Sequence, residues 1–189
     1  MKVFVVRHGE SLNNLKGLWT GWADVPLTEK GIEDAKKAGN FLADFSFDKV
    51  YASDLERAIE TAKNAIPGCP PETSELLREI NVGNIANKPL DILTDADRKA
   101  IKESGYSIFG GETKEEFQNR VLKFRKELEE IDCETVAVFA HAGWLRTFLD
   151  LVTDTYLSRQ SIYCGNCAVG VFEFSGGRWR LHSWINLFN

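Results

Sequence analysis

No apolar run in this sequence approaches the roughly 18 residues that a helix needs to cross a bilayer. Its start, one Lys followed by a short apolar stretch and then charge, lacks the pattern of a secretory signal, so a cytoplasmic location is expected. Cationic excess is missing too. The 23 Lys and Arg against 28 Asp and Glu leave a net charge of -5, which argues against nucleic acids and anionic membranes as partners held by bulk positive charge. Any anion site must therefore be a local pocket of Arg and His on an acidic surface. Cysteine is sparse, with four in 189 residues, and does not make a disulfide scaffold. Cys164 and Cys167 form a C-G-N-C unit, but no second Cys or His pair is nearby and no thioredoxin-like βαβ pattern surrounds it. The two read as small buried residues ahead of a strand. No repeat or low-complexity segment divides the chain, and 43% hydrophobic with 27% charged residues is ordinary for one globular domain over residues 1–189.

What is present begins at Val3. The stretch from Val3 to Asn14 reads V-F-V-V-R-H-G-E-S-L-N-N. Four consecutive apolar, mostly β-branched residues predict a strand buried on both faces, and Arg7 and His8 follow at its carboxyl end. Open α/β sheets place their ligands at that end. Ser11 and Asn14 add short hydrogen-bonding side chains close to His8, a combination suited to phosphate.

Thr28 reads as the N-cap of an amphipathic helix over about 29 to 45, and Val50 to Ala52 as a second strand. Ser53 with Glu56 predicts a capping box that opens a helix running to about Ile66, ended by Pro67-Gly68-Cys69-Pro70-Pro71. Glu75 to Glu79 reads as a third strand, and residues 83–111 show no clean strand, with a helix predicted from Leu93 to Ser104. Thr113 with Glu116 is a second capping box, ahead of the regular face Phe117, Val121, Phe124, Leu128 and Ile131. Val136 to Ala140 is another continuous apolar strand that runs into a histidine, His141. A helix from Gly143 to Val152 and a hairpin of Ala168 to Phe174 with Trp179 to Trp184 complete the chain. Strands alternating with helices imply a three-layer α/β/α sandwich, its sheet mostly parallel with an antiparallel edge.

Two buried strands ending in His8 and His141 would bring both imidazoles to one sheet edge. Arg57, in the first part of the second βα unit, lies where a helix N-terminus favours anions, although an exposed ion pair with Glu60 or Asp54 is the plainer alternative. Glu79 adds a carboxylate at the end of the third predicted strand.

These residues resemble a known family. R-H-G-E-S-x-x-N from Arg7, S-D-L-E-R-A-I-E-T-A from Ser53, L-R-E-I from Leu77, G-G-E-T from Gly110 and H-A-G-x-x-R from His141 look like the histidine phosphatase superfamily, also called phosphoglycerate mutase-like. The resemblance runs from Val3 to Trp184-Ile185-Asn186. It implies that His8 is a nucleophile forming a phosphohistidine, which water or an acceptor hydroxyl then attacks. Arg7, Arg57 and His141 would clamp the phosphoryl oxygens, with Asn14 as a further donor, and neither a metal nor a cofactor is expected. Glu79 would act as general acid and then base, a task calling for a pKa raised towards neutrality. Substrate contacts are expected from Ser11, from Thr20, Gly21 and Trp22 in the Trp19-Thr20-Gly21-Trp22 loop, and from Glu112. The Trp residues could equally be plain packing, and Glu112 simple charge complementarity at a helix start.

Two departures stand out. Ala142 sits where the family often has Gly, and Gly83-Asn84-Ile85-Ala86-Asn87 replaces the G-x-W-E-G of many phosphatases, which leaves the substrate lid undefined. Arg146 reads as a helix-anchoring ion pair rather than a phosphate ligand. Roughly sixty residues separate Glu79 from His141, too few for the long insertion that seals mutase sites from water, so hydrolysis of a small phosphomonoester is expected ahead of bisphosphoglycerate-primed mutase activity. A non-catalytic phospho-ligand binder is the third possibility, disfavoured by the full set of two His, two Arg and a Glu. The expected partner is a small phosphorylated metabolite, with a homodimer as the expected assembly if the chain self-associates.

Overall fold

The computed structural model describes residues 1–155 and 162–188. Six strands form one sheet: β1 (Lys2–Arg7), β2 (Lys49–Ser53), β3 (Glu72–Ser74), β4 (Thr135–Ala140), β5 (Val169–Ser175) and β6 (Arg178–Ile185), in the spatial order β3-β2-β4-β1-β5-β6. The first four strands are mutually parallel, and the β5–β6 hairpin adds an antiparallel edge. Gly176 and Gly177, both at positive φ, make the two-residue turn of that hairpin.

Alternation along β1 explains the layering. Val3 and Val5 face one side of the sheet and pack with Phe117, Val121 and Phe124 of α5 (Lys114–Glu130) and Trp144 and Phe148 of α6 (Ala142–Thr153). Phe4 and Val6 face the other side, with Leu42 of α2 (Glu29–Leu42) and Ala62 and Ala65 of α3 (Glu56–Ala65). A strand buried on both faces must be apolar where it is covered, and Val3–Val6 of β1 and Val136–Ala140 of β4 are. The predicted α/β/α sandwich is the observed architecture. The short α1 (Leu12–Leu15) follows β1, and α4 (Asp95–Ser104) opens at a Thr94–Asp97 capping box. No helix among the described residues is long and apolar enough to cross a membrane.

Local expectations needed correction in two places. The Ser53–Glu56 capping box does not form. Ser53 Oγ accepts from the Leu55 amide at 3.3 Å, and the Glu56 amide donates instead to Asp24 Oδ1 at 2.7 Å, a partner 32 residues away. The helix therefore starts at Glu56, with Leu55 in the cap position. The third strand is Glu72–Ser74, not Glu75 to Glu79. Ser74 Oγ accepts from the Leu76 amide and turns the chain into a single 3₁₀ turn over Glu75–Leu77. Thr28 and Thr113 do cap α2 and α5, the latter as a full capping box.

Candidate active site

The register of the two central strands creates the site. Arg7 of β1 stands opposite Ala140 of β4, so the next residues, His8 and His141, leave the sheet side by side. Their ring centroids are 5.1 Å apart at 61°. His8 Nδ1 is 2.7 Å from the carbonyl of Gly9. Since a carbonyl only accepts, Nδ1 carries the proton, and the lone pair of the neutral ring is on Nε2. The loop bearing His8 is tied down in turn. Cys167 N and Asn166 Nδ2 donate to the His8 carbonyl at 3.3 and 3.1 Å, and Gly9 N donates to Thr61 Oγ1 at 2.9 Å.

His141 is fully buried as the N-cap residue of α6, and among the described residues neither of its ring nitrogens has a hydrogen-bond partner. Arg57, in the first turn of α3, is also fully buried. Its Nη1 and Nη2 donate to the carbonyls of Ala23 and Gly21 at 2.9 and 2.8 Å, and its Nε is unpartnered among the described residues, as is that of Arg7. Arg7 Nη1 donates to the Cys164 carbonyl at 2.5 Å. Buried donors without acceptors are costly, so this cluster is built to receive an acceptor-rich group. A tetrahedral oxyanion supplies several acceptor oxygens and the compensating charge.

Glu79 approaches from the other side. Its Oε2 accepts from the amide of Gly143 at 3.0 Å and its Oε1 from the amide of Ile80 at 2.9 Å. A Cβ on residue 143 would stand 2.2 Å from Oε1, so only glycine admits the carboxylate to the start of α6. Asn14 Oδ1 accepts from Ser11 N and from Asn166 Nδ2, both at 3.2 Å, which leaves the Asn14 amide group as a donor.

These groups border a cleft of about 160 Å³. Arg7, His8, Asn14, Thr20, Gly21, Arg57 and Glu79 line it, and His141 lies beside His8 beneath the surface. Leu18, Trp19, Ile80, Val82, Leu90 and Tyr106 form an apolar outer wall.

Three residues expected at the ligand are placed off this wall. Ser11 is buried and caps α1, its Oγ accepting from the Asn14 amide. Trp22 donates from Nε1 to the Glu79 carbonyl at 2.7 Å, its ring under the Arg78 guanidinium at 4.8 Å. Glu112 is engaged by Arg120 and by the amide of Asn81. Arg146, expected in a helix-anchoring ion pair, makes none among the described residues. It lines the cleft, and its Nε donates to the Ile162 carbonyl at 3.3 Å. Sequence reasoning missed Asn166, whose partners lie more than 150 residues away, and Arg120, which reads as an ordinary helix-surface cation. Cys164 and Cys167 are free, buried thiols that burial raises, Cys167 to about 12, and the Cys164 contribution to the site is its carbonyl.

Burial, followed by the charge of Arg57, holds both histidines well below the usual imidazole range; Arg7 adds to this at each, and His8 itself at His141. Burial lowers Arg57 to about 10, so it remains a cation at neutral pH. His8 is thus a neutral imidazole facing the cations Arg57 and Arg7. The same shifts make stability pH-dependent. An imidazole whose folded pKa is depressed binds protons more readily in the unfolded chain, so stability is full above about pH 6.5 and falls as pH drops below it. Thermal melts between about pH 7 and 5.5 should fall accordingly, and less steeply for His141→Gln. A flat profile in the unsubstituted protein contradicts the burial argument.

Comparison with known proteins gives the family. An adenosylcobalamin/alpha-ribazole phosphatase of Salmonella typhimurium is 33% identical over 153 residues, 77% of this chain and 76% of that protein. A 2,3-bisphosphoglycerate-dependent phosphoglycerate mutase 2 of Bacteroides thetaiotaomicron is 43% identical over 91 residues, but these cover only 44% of this chain and 37% of the mutase. A crystal structure of phosphoglycerate mutase from Thermus thermophilus superposes with a TM-score of 0.76 at 28% identity, covering 100% of both chains. Residues 3–187 match the histidine phosphatase superfamily (branch 1), and the chain belongs to that family.

Proposed function

We propose that this protein is a phosphomonoesterase that works through a phosphohistidine on His8. The observation that carries the reading is the fixed tautomer of His8. With its Nδ1 proton held by the Gly9 carbonyl, its Nε2 lone pair is free beside Arg7, Arg57 and His141. In the first step Nε2 attacks phosphorus, the phosphorus–oxygen bond to the leaving group breaks, and Glu79 supplies the proton that the departing oxygen takes up. In the second, Glu79 removes a proton from water, the water oxygen attacks phosphorus, and the phosphorus–nitrogen bond breaks to release phosphate. Arg7, Arg57 and the His141 ring nitrogens stabilise charge spread over the phosphoryl oxygens in both transition states. The residues proposed for this mechanism are all protein side chains, so a metal chelator should leave turnover unchanged.

The outer wall favours hydrolysis over mutase chemistry. A bisphosphorylated glycerate carries two phosphates and a carboxylate. Beyond the Arg7, Arg57 pair the wall offers Leu18, Trp19, Leu90 and Tyr106, with Arg146 as the additional cation. Such a wall suits a leaving group with an apolar or ring-bearing part, and the likeness to an alpha-ribazole phosphatase puts that class first in a substrate panel. Phosphate release from p-nitrophenyl phosphate and a panel of metabolite esters, measured with chelator present, tests the reading. With 3-phosphoglycerate, phosphate release should exceed formation of the 2-isomer whether or not bisphosphoglycerate is added. Isomer formation in excess of hydrolysis reverses the assignment, and an absolute metal requirement contradicts the mechanism.

A further inference from the structure

The G-G-E-T turn and Arg120 touch neither His8 nor the phosphate pocket, yet they are among the most heavily bonded groups in the molecule. Arg120 projects from α5 with its side chain 13% exposed and its guanidinium 4.9 Å from the centre of the Phe117 ring. A guanidinium has five N–H groups. Here each has an acceptor: Nε donates to Glu112 Oε1 at 2.9 Å, Nη1 to the carbonyls of Leu76 at 3.1 Å and Arg78 at 2.7 Å, and Nη2 to the Glu79 carbonyl at 3.0 Å and Glu112 Oε2 at 2.9 Å. Glu112 Oε2 also accepts from the Asn81 amide at 2.7 Å, and the Glu112 amide donates to the Asn81 carbonyl at 2.9 Å. The two glycines make this approach possible. Gly110 has φ +72°, and a Cβ on Gly111 would lie 2.3 Å from the Asn81 carbonyl oxygen.

Apart from the Arg120–Glu112 pair itself, these bonds end on one short segment, residues 76–81, and of its two cleft-lining residues, Glu79 and Ile80, only Glu79 has a side chain that can pass a proton. Its carboxylate is held at the start of α6 by Gly143 N. Its main chain is held from the opposite side by α5, through Arg120. Two helices thus grip the acid at its two ends.

We infer that Arg120, with Glu112 as its brace, is a positioning residue that sets Glu79 for proton transfer to the leaving group. The inference rests on Glu79 as the general acid of the proposed function. A proton relay is sensitive to sub-ångström displacement, whereas the phosphate clamp made by Arg7, His8, Arg57 and His141 shares no hydrogen bond with Arg120. Disturbing Arg120 should therefore impair reactions that need the acid and spare those that do not.

The test compares kcat/KM for an alkyl phosphate, whose alkoxide must be protonated as it leaves, with that for p-nitrophenyl phosphate, whose nitrophenolate leaves unaided. This constant reports steps only through phosphorylation of His8. Glu79→Gln should depress the alkyl ester by about 10²- to 10⁴-fold and spare the aryl ester, and Arg120→Met should reproduce that selectivity at about 10- to 100-fold. Competitive inhibition by inorganic phosphate should be unchanged in Arg120→Met. In the double variant, turnover of the alkyl ester should be no slower than in Glu79→Gln alone, because Arg120 acts through Glu79. If Arg120→Met does not fold, Arg120→Lys, whose three donors cannot serve five acceptors, and Glu112→Gln carry the same comparison. Equal losses on both esters, no loss on either, or additive losses in the double variant overturn the inference while a selective Glu79→Gln leaves the acid assignment standing. A Glu79→Gln variant without selectivity removes the acid assignment and the inference together.

Discussion

His8→Asn should lower kcat/KM for every phosphomonoester by about 10⁴-fold or more, the largest loss that any single substitution in this chain produces. Asparagine suits the test because its Nδ2 can still donate to the Gly9 carbonyl that His8 Nδ1 now engages, while the amide offers no nucleophilic nitrogen. The anion pocket survives, since Arg7, Arg57 and His141 belong to different segments. Inorganic phosphate should therefore still raise the melting temperature of the variant. Turnover is measured with an alkyl and an aryl ester side by side. Activity within about 100-fold of the parent on either would mean that water, not His8, attacks phosphorus.

Arg57→Met is the second large loss, about 10³-fold in kcat/KM. Arg57 does two things from one fully buried position. Its guanidinium lines the cleft beside His8, and its Nη groups hold the carbonyls of Gly21 and Ala23, which shape the loop carrying Thr20. Methionine fills the volume but leaves both carbonyls without a donor, so a stability loss of about 1–3 kcal/mol accompanies the catalytic one. A signature separates the electrostatic effect from loop damage. Arg57 is the leading electrostatic cause, after burial, that depresses both histidines. Removing it lets them rise, so the acid limb of the kcat/KM profile should move to higher pH, and the loss should be greater at about pH 6 than at pH 8. A loss under tenfold, or an acid limb that does not move, contradicts the role assigned to this charge.

The sequence disclosed most where chemistry follows from local pattern. Val3 to Val6 and Val136 to Ala140 are apolar at every position because both faces of those strands are covered, and that alone predicts central strands ending at His8 and His141. The parallel register that sets Arg7 opposite Ala140 does the rest. Thr28 and Thr113 were equally readable, since a cap is a bond between residues three apart. What stayed hidden depends on partners distant in sequence. Ser53 and Glu56 have capping-box spacing, but Asp24, folded back against α3, takes the Glu56 amide. Trp22 and Glu112 read as substrate contacts because an indole can stack on a ring and a carboxylate can accept from a hydroxyl, with packing and helix-start charge as the alternatives; here both brace the segment that carries Glu79. Asn166 lies inside the C-G-N-C unit, where attention falls on the thiols, yet its amide is what joins Asn14 to the His8 carbonyl. Arg146 reads as a structural cation until the fold places it on the cleft wall without a carboxylate partner among the described residues.

Every step of this account passes through a covalent bond between phosphorus and His8 Nε2. Mixing the enzyme with a radiolabelled phosphomonoester, quenching in denaturant within one turnover and mapping the label by proteolysis tests that bond directly. The account predicts a label that is lost in acid and retained in alkali, as a phosphoramidate is, on the peptide containing His8 and absent from His8→Asn. Turnover without any such label, or a label carried by a different residue, would contradict it.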